Sequence, residues 1–526
     1  MTKPAAPRPV PTLGLSPDQI AARYAALQAK LIPLWKSIAT LNRDPQTIVV
    51  VPSMTLDGLE RMAPSVLQAM EERFLFLLFL LRQPNARMIY VTSRPILPDV
   101  IDYYLGLLPG VIPAHARARL FNPVPHDSSV RPLSLKLLER PRLLARIRSL
   151  IADRDRAHLV PYNTTELERD LAIRLGIPMY GADPAHFWLG TKSGCRRLFR
   201  RAGVSFPIGA EDIRTAEDVV AALVQVRAAR PAIRSAMVKH NEGVSGAGNA
   251  VVNLEGLPPT GARGEAAAIA ERLPAMRFES ASQSYETYMA KLAELGGIVE
   301  ERVVGDEIRS PSVQLRITPL GQLEVLSTHD QVLGGPSGQS YLGCRFPADP
   351  GYAVLITREA VKVGRELVKE GVLGRFAFDF VVVRSGSTWT PYAIELNLRK
   401  GGTTHPFLTL QFLTDGAYDP ETGIFTTPNG RPKCFVATDH LESELYRGLL
   451  PEDVFGIVVQ HGLHFNQTTQ TGIVLHMLTA LSERGRLGLT AVGETQAQAD
   501  ELYEQAVRVL DEEAERAMRP DPLPSP

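Results

Sequence analysis

Two carboxylates and one carboxamide lie in segments of the chain that are otherwise apolar. Asp379 lies in the run RFAFDFVVV, and Glu395 and Asn397 lie in the run YAIELNLR. Both runs are typical of buried strands, and the intervening RSGST predicts a hairpin turn. If the two strands pair, the three side chains converge on one all-oxygen patch, which Mg²⁺ prefers when phosphates complete its coordination. The alternative is that they are ordinary polar residues at strand ends that bond to loops.

A glycine-rich run follows a lysine in the middle of the chain. Lys239 ends the β-type run Ala236–Lys239, and EGVSGAG follows at Glu242–Gly248. Glycines let a backbone approach a polyphosphate closely, and consecutive N–H groups, here at Ser245 and Gly246, can point at its oxygens. The run matches neither a Walker motif nor a first-strand GxGxxG, so a plain hairpin turn is the alternative. A lysine on a strand favours phosphate binding, because it fixes a positive charge beside the loop.

A third segment, VEERVVGDE at Val299–Glu307, is strongly acidic. One interpretation is an edge strand with a solvated acidic face and a glycine turn. The other is a linker between two lobes, in which backbone groups bond the edge of adenine and a carboxylate holds the ribose hydroxyls.

The hydrophobic pattern predicts the elements that position these residues. Short β-branched or apolar runs predict parallel strands early in the chain, and the helical spacing of Glu166–Leu175 predicts a helix that Gly176 ends. This alternation indicates an α/β unit over about the first 185 residues. The predicted strands are Thr47–Val51, Met88–Val91, His158–Val160, Ala236–Lys239, Gly297–Val304, Ser312–Ile317, Leu323–Ser327, Phe376–Val383 and Pro391–Leu396. A basic helix is predicted over Ser193–Arg201, and a mostly helical region with two amphipathic segments from Ile473 to about Met518.

The composition excludes several classes of protein. The chain has 526 residues, 44% hydrophobic and 22% charged, as in a folded protein of about three domains. Lys+Arg and Asp+Glu both number 57, which gives no electrostatic argument for a nucleic-acid partner. The three cysteines have no CxxC spacing, so we expect no disulfide framework, no zinc site and a cytoplasmic location. The longest apolar run, Phe74–Leu81, is far shorter than the roughly 20 residues of a membrane span, so no membrane partner is expected.

Taken in order, these pieces resemble the ATP-grasp superfamily over residues 160 to 415. The resemblance rests on a lysine before the first helix (Lys192), on Lys239 before its glycine-rich loop, on the pattern E-E-x-x-x-G-x-E from Glu300, and on Asp379 followed by Glu-Leu-Asn. It implies that ATP and Mg²⁺ are bound, and that Asp379, Glu395 and Asn397 ligate one or two magnesium ions. The implied nucleotide contacts are Lys192, Lys239, Ser245, Gly246, Glu300, Glu301, Val303 and Glu307. Among these, Glu301 and Val303 would offer backbone groups to adenine, and Glu307 would hold the ribose.

The stretch NLRKGGTTH that starts at Asn397 is similar to the corresponding ending of D-alanine–D-alanine ligases. Those ligases carry an arginine two residues before the first metal aspartate, where this chain has Ala377. Arg375, Arg316 or Arg399 would supply that charge instead. Arg399 is the favoured candidate, because residues 395, 397 and 399 would share one face of an extended strand. The implied catalytic residues are therefore Arg399, Arg316 and Lys239.

The fold class implied is α/β, with α+β central lobes. A Rossmann-like pre-ATP-grasp domain precedes the ATP-grasp fold, and a small, mainly helical region follows it. The predicted segments are 1–40 (a flexible Pro-rich tail and first helix), 41–187 (pre-ATP-grasp), 188–305 (small lobe, or lid), 306–450 (metal-binding lobe) and 451–526 (C-terminal helical region with a disordered tail). The first unit, with YNTTE at Tyr162 and LGIP at Leu175, resembles a pre-ATP-grasp domain. SYLGCRFP at Ser340 and GIVLHML at Gly472, which is followed by Gly485 and Gly488, resemble the peptide-ligase subfamily that includes the ligase of pheganomycin biosynthesis.

The resemblance implies an ATP-dependent carboxylate–amine ligase that forms an amide bond through an acyl-phosphate. Its substrates would be a small-molecule carboxylate and an amine or a peptide. Family members are often dimers, so a homodimer is among the open oligomeric states. Two alternatives are a kinase of the same fold that phosphorylates a small molecule, and a nucleotide-binding regulator without turnover.

Overall fold

The computed structural model of the protein describes residues 13–39, 45–55, 62–107, 110–243, 248–278, 283–334 and 340–519. These residues divide into two units. The first unit is drawn from Met1–Pro184, Leu408–Asp415 and Asp439–Pro526, and the second from Ala185–Phe407 and Gly416–Thr438. The five segments expected from the sequence stay a prediction.

A parallel sheet organises the beginning of the first unit. Its strands are β1 (Gln46–Val51), β2 (Ala86–Tyr90), β3 (Leu120–Phe121) and β4 (Ala157–Pro161), in the order β3-β2-β1-β4. All six positions of β1 are buried, which is why its residues Ile48–Val51 form a continuous apolar run and do not alternate. The helices of this part are α1 (Pro17–Gln28), α2 (Leu31–Ala39), α3 (Pro64–Glu72), α4 (Pro98–Gly106), α5 (Pro113–Arg117), α6 (Leu133–Leu138), α7 (Pro141–Leu150) and α8 (Glu166–Leu175), with a 3₁₀ helix at Leu75–Arg82. The predicted α/β unit is confirmed.

A five-stranded antiparallel sheet opens the second unit, in the order β5-β9-β6-β7-β8. Its strands are β5 (Gly209–Ile213), β6 (Ser235–His240), β7 (Asn249–Asn253), β8 (Arg277–Phe278) and β9 (Gly297–Glu301). Its helices are α9 (Lys192–Ala202), α10 (Ala216–Ala229), α11 (Glu265–Arg272) and α12 (Tyr285–Leu295), with 3₁₀ helices at Pro184–Gly190 and Leu273–Ala275. A core that includes Val238, Val299 and Leu292 joins the sheet to helices α10 to α12.

A second antiparallel sheet of the same unit carries the predicted metal ligands. Its central strand β14 pairs with β15 on one edge and with β10 and β11 on the other, and the order continues through β12, β13 and β18. Its strands are β10 (Glu307–Arg309), β11 (Pro311–Ile317), β12 (Leu323–Gly334), β13 (Ser340–Phe346), β14 (Gly374–Ser385), β15 (Thr388–Asn397) and β18 (Cys434–Glu442). Strands β16 (Ala417–Asp419) and β17 (Ile424–Thr426) form a separate two-stranded antiparallel sheet. The helices are α13 (Ala353–Lys369) and α14 (Thr404–Thr414). Strands β14 and β15 form the predicted hairpin, with Gly386 at φ +60° in the turn.

The end of the chain differs in part from the expectation of two amphipathic helices. It contains α15 (Pro451–Gln460), β19 (Gly472–His476), α16 (Leu481–Arg484), β20 (Arg486–Gly493) and α17 (Gln496–Ala517), with 3₁₀ helices at Glu444–Gly448 and Leu478–Ala480. Helix α17 bears out the helical region, but the helix predicted from Ile473 is wrong. Strand β19 is buried at all five positions, so its apolar run has no alternation that would distinguish a strand from a buried helix. Gly488 is a strand residue that makes room for a side chain, since a Cβ there would lie 2.1 Å from His476 Nε2.

Candidate active site

Strands β14 and β15 bring the three predicted metal ligands together. Asp379 lies opposite Glu395 in the antiparallel register, and Ala377 lies opposite Asn397. Residues that face each other across such a pair share one face of the sheet. Asn397 Nδ2 donates to Asp379 Oδ2 at 2.9 Å, so the amide oxygen is the atom that Asn397 could offer to a cation.

Lys192 lies beside these carboxylates because of where its helix begins. Thr191 caps α9 by accepting a hydrogen bond from the Gly194 amide, and Lys192 is the first helical residue. Its Nζ lies 2.5 Å from Glu395 Oε1, and the side chain is buried. Burial lowers the pKa of Lys192, but the charge and hydrogen bond of Glu395, together with Cys195 and Asp379, raise this pKa above its usual value, so the ammonium form is favoured. Helix α9 also contacts β15 directly, since the Leu396 amide donates to Cys195 Sγ at 3.2 Å.

Two close carboxylates alter the electrostatics of this cluster. Burial and then the neighbouring Glu395 raise the pKa of Asp379 above its usual range, while Lys192 and Arg399 oppose that shift. A cation between the carboxylates would remove their mutual repulsion.

The donor set fits a magnesium ion. Two carboxylates and one amide oxygen are hard ligands of the kind that Mg²⁺ takes together with phosphate oxygens. Ser312 lies opposite Asp379 on β11, and its buried Oγ makes no hydrogen bond to any residue that the structure describes. A buried hydroxyl without a hydrogen-bond partner, on the sheet face that carries Asp379, is consistent with a polar ligand that binds beside Asp379.

Lys239 belongs to a separate buried ion-pair cluster on the five-stranded sheet. Its Nζ lies 2.6 Å from Glu300 Oε1, and the other oxygen of Glu300 lies 3.3 Å from Arg196 Nη1. Arg196 also contacts Glu211 at 2.9 Å. The predicted nucleotide residue Glu300 is therefore the carboxylate that holds Lys239 in place.

The ends of the glycine-rich loop are fixed by residues that the sequence did not indicate. The His240 amide donates to Gly248 O at 3.0 Å, and Tyr288 Oη lies 2.9 Å from both Val238 O and Gly248 O. Asn241 accepts the Lys192 amide on its carbonyl at 3.1 Å and the Ser193 amide on Oδ1 at 3.0 Å. The loop therefore begins at the start of the helix that carries Lys192. The predicted contacts at Ser245 and Gly246 lie outside the described residues.

The acidic segment after β9 connects the five-stranded sheet to the sheet that contains β10 and β14, as expected of a linker. Glu301 Oε1 accepts the Ile208 amide at 2.9 Å, and the Glu301 amide donates to Ile208 O at 2.7 Å. Its carbonyl is therefore the backbone group that it could offer to a nucleobase. Val303 is half-buried in the connection between β9 and β10. Glu307 lies on β10, within 2.6 Å of Arg384 and 2.5 Å of Arg309.

The two candidate arginines lie at different places. Strand β15 ends at Asn397, so the expected extended strand through Arg399 is wrong. The chain turns there because the Gly401 amide donates to Thr404 Oγ1 and the Thr404 amide donates to Gly401 O. Arg399 nevertheless lies near the site, since it lowers the pKa of Asp379. Arg316 lies four residues beyond Ser312 along β11, where it pairs with Glu324.

Sequence reasoning also missed Gln331 and Lys400. Gln331 Nε2 donates to Asp379 Oδ1 at 2.7 Å from strand β12. Lys400 is buried after Arg399, and burial, then Arg375, lowers the pKa of Lys400 to about 7. A basic residue before two glycines was a signal for Lys400, whereas no local pattern points to Gln331.

The turn after Arg399 packs closely against Tyr341. A Cβ at Gly402 would lie 2.6 Å from Tyr341 Cε1, whereas a Cβ at Gly401 meets no atom within 4 Å. Tyr341 belongs to the SYLGCRFP stretch, so this ring places that motif on the backbone of the active-site turn.

We expect Gly402→Ala to lower the free energy of unfolding by about 1–3 kcal/mol, because the added methyl group overlaps the Tyr341 ring. Gly401→Ala is the matched control one residue away. Denaturant unfolding of both variants measures the effect. Equal stability of the two would show that the ring does not constrain the turn.

Two family models match the chain. A model described as IQCH-like, ATP-grasp matches residues 185–267 and 262–421, and one described as PGM1 C-terminal domain matches residues 453–506. The first match covers most of residues 160 to 415, where the sequence resembles the ATP-grasp superfamily, and extends to residue 421.

Two curated proteins align with most of the chain. The L-propargylglycine–L-glutamate ligase of Streptantibioticus cattleyicolor is 33% identical over 450 residues, which cover 84% of this chain and 88% of that ligase. IQ motif-containing protein H of Danio rerio is 26% identical over 438 residues, which cover 75% of this chain and 41% of that protein.

Solved structures share the fold at low identity. The ADP complex of an N5-carboxyaminoimidazole ribonucleotide synthetase superposes with a TM-score of 0.50 and 11% identity, covering 89% of this chain and 98% of that one. The biotin carboxylase domain of the Hydrogenobacter thermophilus 2-oxoglutarate carboxylase, solved as a dimer with MgADP and bicarbonate, gives a TM-score of 0.53 and 12% identity, covering 88% and 89%.

These similarities bear out the family and the fold class predicted from the sequence. Among the described helices, none is long and apolar enough to cross a membrane. The ligase of S. cattleyicolor aligns along nearly its whole length at 33% identity. The chain therefore belongs to the ATP-grasp family, as an ATP-dependent carboxylate–amine ligase that forms an amide bond.

Proposed function

We propose that this ligase joins the carboxyl group of one amino acid, or of an acid derived from one, to the amino group of an amino acid or peptide. The proposal of amino-acid substrates is supported by the name of the S. cattleyicolor relative, which joins L-propargylglycine to L-glutamate. The observation that carries the assignment of the site is the cluster in which the buried Lys192 lies 2.5 Å from the half-buried Glu395, opposite Asp379.

The chemistry has two steps. A carboxylate oxygen attacks the γ-phosphorus of ATP, the bond to ADP breaks, and the product is an acyl-phosphate. The amine nitrogen then attacks the acyl carbon, inorganic phosphate leaves with its electron pair, and the nitrogen loses a proton. Both steps depend mainly on positioning and on neutralising negative charge.

Each residue of the cluster has a part in this scheme. Asp379, Glu395 and Asn397 would hold Mg²⁺, which when bound neutralises charge on the phosphates. Lys192 and Lys239 would contact the phosphates, with Glu300 orienting Lys239. Glu301 and Val303 would present backbone groups to adenine, Glu307 would hold the ribose, and Arg399 would contact the acyl-phosphate.

Incubation with ATP, Mg²⁺ and hydroxylamine tests the proposal on a panel of acids. We expect amino acids to give hydroxamates, because hydroxylamine traps the acyl-phosphate in place of the amine. ADP release that depends on acid but yields a stable phosphorylated product would contradict it and favour a kinase. Hydroxamates formed only from acids without an amino group would leave the ligase but overturn the amino-acid substrate.

A further inference from the structure

Asp379 accepts a hydrogen bond on each of its two oxygens, from amides on two different strands. Asn397 Nδ2 binds Oδ2 at 2.9 Å from the neighbouring strand β15. Gln331 Nε2 binds Oδ1 at 2.7 Å from β12, across the intervening strand β11. The plane of this carboxylate is therefore set from both sides.

The backbone of Gln331 is fixed by its neighbours on both sides. Its amide N–H donates to Ser310 O at 3.1 Å on one side, and it lies opposite Cys344 of β13 on the other. Gln331 is two residues after His329 on β12, so the two side chains point to the same face of the sheet. His329 lies opposite Ser312, and Ser312 lies opposite Asp379. Gln331 therefore projects from the face of the sheet that carries the carboxylates.

The carboxylate needs such a donor for an electrostatic reason. Asp379 lies opposite Glu395, and two nearby negative groups turn away from each other when nothing else holds them. Two hydrogen bonds use only part of the acceptor capacity of a carboxylate, which has about four lone-pair sites, so lone pairs stay available to a cation. A donor placed in this way orients the ligand without occupying the cation's position.

We infer that Gln331 is a positioning residue that orients Asp379 for a divalent cation bound with the nucleotide. The inference rests on the proposed metal role of Asp379. Partners of this kind typically change metal affinity by about 10–100-fold when they are removed. Gln331 acts through Asp379 and needs no contact with either substrate.

The experiment measures Mn²⁺ binding to the full-length protein by electron paramagnetic resonance, with ADP present. We expect Gln331→Met, which has similar length but no donor, to weaken Mn²⁺ binding about 10–100-fold. Gln331→Glu is expected to weaken it further, because the donor is replaced by an acceptor that faces Asp379. For Gln331→Met, ADP binding without metal and the melting temperature are expected to stay near those of the wild type. Gln322→Met, at an exposed turn before β12, is the matched control.

The outcomes separate this inference from the proposed function. Weak Mn²⁺ binding in Asp379→Asn together with wild-type binding in Gln331→Met would overturn the role of Gln331 and leave the metal site intact. Unchanged Mn²⁺ binding in Asp379→Asn would overturn the metal site itself. A fall in melting temperature and in metal-free ADP binding that matches the loss of Mn²⁺ binding would assign Gln331 a structural role only. If Gln331→Met does not fold, Gln331→Glu decides by the same comparison.

Discussion

Glu395→Gln is expected to abolish acid-dependent ADP release while the protein stays folded. The substitution keeps the shape of the side chain but removes one of the two charges that would face Mg²⁺. A neutral amide is a weaker ligand for this hard cation. We expect kcat to fall by more than the roughly 10–100-fold that is typical of residues which only orient a metal ligand.

The charges around residue 395 explain why folding is expected to survive. Lys192 would lose its partner at 2.5 Å, and a buried cation without a partner is costly. Asp379 also attracts Lys192, and its own carboxylate would no longer be opposed by Glu395. The loss of the attraction between Lys192 and Glu395 is therefore offset by the loss of the repulsion between Asp379 and Glu395.

Measurement of ADP release with and without Mg²⁺, together with thermal unfolding, checks this prediction. Glu366→Gln is the matched control, because Glu366 pairs with Lys369 on the surface of α13, and such pairs contribute little. Near wild-type turnover in Glu395→Gln would remove Glu395 from the proposed metal site. A melting temperature far below that of the control would assign the effect to folding.

The features that were predictable from sequence depend on neighbouring residues. Helix α8 has the predicted bounds because Thr165 and Glu168 form a capping box at its start and Gly176 takes φ +74° at its end. The β14–β15 hairpin was predictable for the same reason, since its turn and both apolar runs are continuous in the chain. Its register then places Asp379 opposite Glu395.

The features that escaped prediction depend on distant pairings. Gln331 reaches Asp379 from 48 positions away, and a polar residue on a strand carries no sign of such a partner. The nucleotide contact expected at Glu300 stays a prediction, but the pairing of Glu300 with Lys239 and Arg196 was not foreseen, because it follows from the packing of α9 and β6 around β9. Strand β19 was read as a helix because burial on both faces removes the period that separates the two structures.

Arg399→Lys is expected to lower kcat by about tenfold or more with little change in the affinity for ATP. The planar guanidinium donates two parallel hydrogen bonds to a phosphate or carboxylate, whereas an ammonium offers only a compact charge. The substitution therefore keeps the charge near Asp379 and removes the fork.

The structure supports a catalytic role of Arg399 by the turn in which the residue lies, and not by the expected strand that residues 395, 397 and 399 would share. The strand stops at Asn397, and the turn at Gly401 and Thr404 fixes the backbone that follows. Arg399 Nη1 donates to Lys400 O at 3.1 Å, and its charge is felt at Asp379. Negative charge accumulates there during phosphoryl transfer, so a fork held by its own turn is suited to the reacting oxygens.

Steady-state kinetics with saturating acid and amine, and ADP binding by calorimetry, distinguish a catalytic from a structural role. Arg365→Lys, at an exposed position of α13, is the matched control. If Arg399 only steadied the turn, Arg399→Lys would lower the melting temperature and activity together. A lower kcat with the stability and ADP affinity of the control requires instead that the guanidinium contact the transferring group. Wild-type kcat would exclude that contact, and Arg316→Lys would then be the next variant to measure.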